Sequence, residues 1–127
     1  MKGAPGLIAV VLDNETAEHL RNLAIHSNVF CKHVTMAYRP KPDVYSKYAS
    51  LMGQEVEFDI VYEAFDSYGQ TVAVKGVPSE NAVPHITISC ADGVPPAYSN
   101  KLLDKPEPYK GPVPICRGRG VVEFVRF

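Results

Sequence analysis

No apolar run in this sequence exceeds six residues; the longest, Leu7 to Leu12, is stopped by Asp13. A bilayer-spanning helix needs about 20 apolar residues, and a signal peptide needs an apolar stretch of about 7–15, so neither is expected. A large charge of one sign is missing too: 13 Lys and Arg stand against 14 Asp and Glu, a formal net charge of −1. That balance argues against a membrane surface or a long nucleic acid duplex as partner. It leaves room for a small anionic ligand, because a few local groups suffice to bind one phosphate. Cysteine is scarce, with Cys31, Cys90 and Cys116 forming an odd set without a CxxC pair. A disulfide framework and a structural zinc site are therefore not expected. The three read as buried thiols of a cytoplasmic protein. Low-complexity stretches and hinge-like linkers are absent, and no GxGxxG opens a helix after a strand. What is present is 127 residues, 46% hydrophobic and 21% charged, the balance of one globular domain over residues 1–127.

Gly6 to Leu12 reads as a buried strand. Asp13-Asn14-Glu15 offers a helix start, and Ala17, Leu20, Leu23 and Ala24 predict one apolar face through about residue 26, with a stop at Ser27-Asn28. Lys32 to Tyr38 reads as a second strand, closed by Pro40 and Pro42. Asp43 is expected to cap a second helix bearing Val44, Tyr48, Leu51 and Met52 on one face, with Gly53 at its end. Val56, Phe58, Ile60, Tyr62 and Ala64 then alternate with Glu55, Glu57, Asp59 and Glu63, the pattern of a strand with one wet face. A turn at 66–69 leads into a strand from Thr71 to Val77, residues 78–84 form a loop, and His85 to Cys90 is again a strand. Tyr98 to Leu103 is expected to make one or two helical turns, residues 104–114 an extended loop with four prolines, and Val121 to Phe127 a closing strand.

One short pattern occurs twice. His33-Val34-Thr35-Met36-Ala37 and His85-Ile86-Thr87-Ile88-Ser89 both read His, β-branched, Thr, apolar, small, and both lie in expected strands. Side chains of a strand alternate between faces. His33 and Thr35 therefore share one face and Val34 and Met36 the other, and the second copy behaves alike. The apolar members anchor each strand, leaving two His–Thr pairs to line a cleft. Such pairs suit phosphoryl transfer without a metal. In-line displacement at phosphorus needs a base on the attacking oxygen and an acid on the leaving oxygen, and histidine, with an ordinary pKa of about 6.5, serves either role near neutrality. Each threonine hydroxyl can donate to a non-bridging phosphate oxygen.

With these motifs, 52 residues apart, the chain resembles the two-histidine (2H) phosphoesterases, whose signature is two HxT/S motifs on strands of two pseudo-symmetric lobes. The surroundings of the second motif, HITISCADGVPPAYSNKLL, are similar to the cyclic phosphodiesterase domain of fungal-type tRNA ligases, and the family also includes small phage enzymes. The resemblance reaches from the first strand to about Leu103. Two departures stand against it: the chain is shorter than many relatives, and Val77 to Pro84 is too short for a full helix before the second motif. The resemblance implies an α+β fold, with two antiparallel-sheet lobes and flanking helices around a central cleft. It implies a metal-independent phosphodiesterase that hydrolyses a 2′,3′-cyclic phosphate end or a short cyclic oligonucleotide. Catalysis falls to His33 and His85 with no cofactor, and the partner is a small nucleotide or short RNA. Two alternatives stand: a protein that sequesters a nucleotide without turnover, and a 2′-5′ RNA ligase-like enzyme.

Thr35 and Thr87 are the expected phosphate contacts, their alternative being ordinary strand formers. Tyr38 and Tyr98 are candidates to stack on a base or reach a phosphate, against the alternative of packed rings with wet hydroxyls. Ser99 is a further candidate substrate contact, its alternative being to cap, with Asn100, the short helix. Arg117 and Arg119, at strand parity, read as an exposed sheet edge or as positive potential near the phosphate. His19 and His26, seven apart on one expected helix, read as surface residues. Loops 39–43, 65–70 and 91–97 are expected to shape the pocket.

Overall fold

The computed structural model describes residues 3–104, 109–111, 113 and 117–127. Eight strands, three α-helices and one 3-10 turn alternate along it: β1 Gly6–Leu12, α1 Asn14–Arg21, β2 Asn28–Val29, β3 His33–Tyr38, α2 Pro42–Tyr48, the 3-10 turn Ala49–Leu51, β4 Glu55–Phe65, β5 Gly69–Lys75, β6 His85–Cys90, α3 Tyr98–Leu103, β7 Tyr109–Gly111 and β8 Arg117–Arg126. The protein is α+β, and all its strand pairs are antiparallel. The strands join in one sheet of order β2-β6-β5-β4-β8-β1-β3, with β7 added to β4. No helix among the described residues is long and apolar enough to cross a membrane.

The apolar residues of the repeated motif face the core as alternation requires. Val34 and Met36 of β3 and Ile86 and Ile88 of β6 are at most 1% exposed, packed with Ile8, Val10, Leu20, Phe58 and Val72. Register reinforces this, with Val10 opposite Val34 and Val72 opposite Ile86. In β4, Phe58, Ile60 and Ala64 point inward while Glu55, Glu57 and Asp59 stay wet.

The sheet curls so that its two ends meet. After pairing with β6 through Asn28 and Val29, the chain continues along it: the Phe30 and Cys31 amides donate to the carbonyls of Ile88 (2.8 Å) and Thr87 (3.0 Å). At Cys31 the backbone enters the left-handed region, φ +52°, which a non-glycine residue visits rarely. The chain thereby leaves β6, and the Lys32 carbonyl accepts from the Leu12 amide at 3.0 Å before β3 pairs with β1. The crossing from one sheet end to the other takes three residues, 30–32, so the two motif strands are held close together.

Several boundaries differ from the sequence reading. Helix α1 stops at Arg21 rather than near residue 26. Beyond it the Leu23 and Ala24 amides make short-turn bonds to Leu20 and Arg21, and the next two amides are captured by side chains: Ile25 by Gln70 Oε1 (3.0 Å) and His26 by Ser89 Oγ (3.2 Å). Its start is as expected, Asp13 accepting the Thr16 amide at 2.8 Å. Helix α2 begins two residues earlier than Asp43 suggests: Lys41 is the cap residue without a side-chain bond, and Pro42 takes the first turn, where its missing N–H costs nothing. Strand β5 spans Gly69–Lys75 rather than 71–77, because Asp66 Oδ1 accepts the amides of Tyr68 and Gly69 and turns the chain earlier. The short strands β2 and β7 were unforeseen; β7 lies inside the expected 104–114 loop, of which 105–108, 112 and 114 fall outside the described residues.

Strand β8 starts at Arg117, four residues before the expected Val121, and lies in the middle of the sheet between β4 and β1. Its Gly-rich start permits this: a Cβ on Gly118 would come within 2.5 Å of the Phe58 ring, and one on Gly120 within 2.3 Å of the Val11 carbonyl oxygen. Arg117 and Arg119 therefore do not mark a sheet edge. They pair across the strand with Glu57 and Asp59 (3.1 and 3.0 Å) and with Glu55 and Glu57 (3.8 and 3.6 Å). Cys31 and Cys90 are buried free thiols, and burial pushes Cys31 up to about 11; Cys116 lies outside the described residues.

Candidate active site

His33 and Thr35 of β3, and His85 and Thr87 of β6, line one cavity of about 720 Å³ between the two ends of the sheet. Small-molecule sites run from roughly 300 to 1,000 Å³, so the space fits a nucleotide-sized ligand. The four side chains converge because each pair shares the strand face opposite its buried neighbours. Tyr38 lines the same cavity, together with Leu7, Phe30 and the Pro95–Ala97 turn, all apolar, and Lys32, Asn81 and Asn100, all polar. Lys32 is the one lining side chain of fixed charge, and no carboxylate lines the cavity among the described residues. The lining thus sets one positive charge beside a largely apolar wall.

The two histidines are held differently. The His85 ring is 9% exposed, and its Nδ1 meets the Val83 carbonyl at 2.8 Å. A carbonyl only accepts, so Nδ1 carries the proton and donates, and Nε2 is left to exchange one. Burial lowers the His85 pKa and the Val83 bond opposes that shift. His33 is half-buried and makes no side-chain hydrogen bond among the described residues. Its pKa is lowered as well, first by burial, then by the Lys32 charge and by His85, so the two rings feel each other. Both groups are thus poised to exchange protons on the acid side of the ordinary histidine range.

The threonines also differ. The Thr87 hydroxyl donates to the Pro96 carbonyl at 3.3 Å and meets Ser99 Oγ at 2.8 Å, which then donates to it. Ser99 is 2% exposed and does not line the cavity. It stands behind Thr87 rather than on the cavity wall, where a substrate contact was expected from the sequence. Tyr98 is corrected likewise. Its ring packs edge-on against Tyr68 at 5.9 Å and its hydroxyl donates to Asp66 Oδ2, at the β4–β5 turn and away from the cavity. Tyr38 lines the cavity and is 65% exposed, with its ring 5.3 Å from that of Phe127 and the Arg39 guanidinium 5.9 Å from its centroid.

Of the loops expected to shape the pocket, 91–97 contributes Pro95, Pro96 and Ala97, whereas 39–43 and 65–70 supply no lining residue. The 78–84 loop, read as a plain connection, supplies Asn81. No sequence signal marked Asn81, Phe30 or Leu7; Lys32 was visible only as the neighbour of His33. Arg117 and Arg119 do not line the cavity and are neutralised by carboxylates of β4. His26 is not on α1, so it shares no helix face with His19; its Nε2 donates to the Asp66 carbonyl at 2.9 Å. Among the described residues, no three His, Cys, Asp or Glu side chains cluster closely enough to hold a metal ion. No family model matches the sequence, and no curated protein matches it.

Proposed function

We propose that this protein is a phosphodiesterase that hydrolyses a cyclic phosphate of a nucleotide or a short cyclic oligonucleotide, using His33 and His85 as acid and base without a metal. The observation that carries the reading is the convergence of both His–Thr pairs on one cavity with a lysine and no carboxylate among its described lining residues. In a cyclic phosphate, one histidine takes a proton from water as its oxygen bonds to phosphorus. The other gives a proton to the ribose oxygen as the ring P–O bond breaks. The Thr35 hydroxyl donates to a non-bridging oxygen, where negative charge grows, and the Thr87 hydroxyl does the same once it turns from the Pro96 carbonyl. Tyr38 offers a ring face to a base at the rim.

Strand connectivity supports the kinship with the two-histidine phosphoesterases. β3-β1-β8 and β6-β5-β4 read as two halves meeting at the β8–β4 pair. In each, the motif strand pairs with an inner strand, His33 opposite Val11 and His85 opposite Ala73. In each, a helix follows the motif strand, α2 after β3 and α3 after β6. We take these halves as the two pseudo-symmetric lobes.

A product assay by mass spectrometry tests the reaction. Purified protein in excess EDTA is incubated with 2′,3′-cyclic mononucleotides, RNA ending in a cyclic phosphate, and cyclic di- and trinucleotides. The expected product is the opened phosphate, heavier by one water, from at least one of these classes. Loss of all turnover in EDTA, restored by a divalent ion, contradicts the mechanism; tight binding without product would mark a sequestering protein.

The role of Ser99 has its own test. Ser99→Ala removes one neutral hydrogen bond and is expected to lower kcat/KM about three- to tenfold. Because Ser99 acts through Thr87, the double variant with Thr87→Ala should lose little beyond Thr87→Ala alone. Fully additive losses in steady-state kinetics would show that Ser99 acts independently.

A further inference from the structure

The β5–β6 connection carries a feature that neither motif explains. Residues 79–81 are fastened to the outer edge of β3, beside the first motif. Ser79 Oγ donates to the Thr35 carbonyl at 2.8 Å, and the Glu80 amide donates to the Met36 carbonyl at 2.7 Å. The Glu80 carboxylate accepts from the Tyr48 hydroxyl at 2.6 Å and from Lys47 at 3.1 Å, so α2 holds the loop from the other side. The Asn81 amide then bonds to Ser79 Oγ at 3.0 Å, closing a tight local turn. Two residues further on, the Val83 carbonyl fixes the His85 ring. The loop is thus tied to both halves of the site, and one residue between its two anchors turns into the cavity: Asn81.

The Asn81 side chain makes no hydrogen bond among the described residues, although the Ser79 and Glu80 side chains beside it are both paired. An amide NH2 that lines the cavity and has no protein partner among the described residues is available to a ligand. Asn81 lies two residues after Ser79, which is bound to Thr35, and two before Val83, which is bound to His85, so its backbone is fastened beside one motif on each side. On the opposite side the Thr87 hydroxyl already donates to Pro96. We infer that Asn81 is a further substrate-binding residue, whose side-chain NH2 donates a hydrogen bond to the phosphate held between the two His–Thr pairs. The inference rests on the reading of that cavity as a phosphate site, but it concerns binding and does not require turnover.

The test is therefore a binding experiment. Side-chain NH2 and imidazole signals are followed by 1H–15N NMR while inorganic phosphate, adenosine and adenosine 2′-monophosphate are added separately. The Asn81 NH2 pair is assigned by its loss in Asn81→Ala. That pair and the His33 and His85 rings should move with inorganic phosphate and with the nucleotide. Asn81→Ala should bind the nucleotide about tenfold more weakly, as for loss of a hydrogen bond to a charged group. Asn81→Asp, which sets a carboxylate against the phosphate, should bind more weakly still. Thermal midpoints should match the wild type, because the side-chain NH2 has no partner among the described residues. Histidine signals that move while the Asn81 pair stays fixed would overturn the inference and leave the site reading intact. Movement with adenosine but not with phosphate would also overturn it, making Asn81 a base contact. If no signal moves with either phosphate ligand, both readings fail together.

Discussion

Replacing His33 or His85 by alanine is expected to lower turnover by about 10²–10⁴-fold, the usual share of general acid–base catalysis. Each ring lines the cavity, and no other described lining residue is a histidine, a cysteine or a carboxylate that could replace it. The double variant should fall well short of the product of the two single losses, because groups acting as a unit are not additive. Stability should change little at His33, which is half-buried without a hydrogen bond among the described residues. At His85 a loss is expected, since the Val83 carbonyl gives up its partner. Circular dichroism and a denaturant curve beside the kinetics separate the two effects. A single variant that keeps near-full activity on every substrate would remove the two-histidine mechanism.

The largest expected loss of stability lies away from the cavity, at Gln70. This side chain is fully buried and uses both ends of its amide. Oε1 accepts from the Ile25 amide (3.0 Å) and from Ser89 Oγ (2.6 Å), while Nε2 donates to the Leu23 carbonyl (2.7 Å) and to Glu63 (3.0 Å). It thus fastens the segment after α1 to β5 and β6. Gln70→Met keeps the volume but leaves the Ile25 amide and the Leu23 carbonyl without these partners. Each partner lost costs about 1–3 kcal/mol, so a total loss of about 2–6 kcal/mol is expected. Urea unfolding should show a lower midpoint at unchanged slope. A loss under about 1 kcal/mol would mean that water or a local shift replaces these bonds.

Gln70 also shows where the sequence stops being informative. The periodicity of Ala17, Leu20, Leu23 and Ala24 favours a longer helix than the one that forms. What ends it is a pair of side-chain acceptors, Gln70 and Ser89, more than 40 residues away in the chain. Strand β2 was invisible for the same reason, since its two residues are extended only because β6 lies beside them. In β8 the glycines of Arg117-Gly118-Arg119-Gly120 look like a break, yet Phe58 and Val11 leave no room for a Cβ there. The motif strands were legible because a two-residue period is intrinsic to the backbone. Once Val34, Met36, Ile86 and Ile88 are buried, both His–Thr pairs must face the other way. Convergence of those faces depends on the crossing at 30–32, which no local pattern encodes. Proximity in sequence misled at Tyr98 and Ser99: the α3 turn sends one to Asp66 and hides the other behind Thr87. Asn81 escaped notice because its position is set by anchors on β3 and α2.

The central claim is that two histidines, one neutral and one protonated, share the proton transfers. The pH dependence of kcat/KM in EDTA, measured on whichever cyclic phosphate is turned over, tests it most directly. The rate should fall on the acid side as the base becomes protonated, and on the alkaline side as the acid loses its proton. Burial lowers both groups in the free enzyme, so the maximum should lie below about pH 6.5, histidine's ordinary value. The two limbs belong to the coupled pair rather than to either residue. In kcat the alkaline limb should move upward, because a bound phosphate anion favours the protonated acid. A bell with its maximum below about 6.5 is the result predicted; a rate that climbs steadily toward pH 10, as attack by free hydroxide or a lysine base would give, contradicts it.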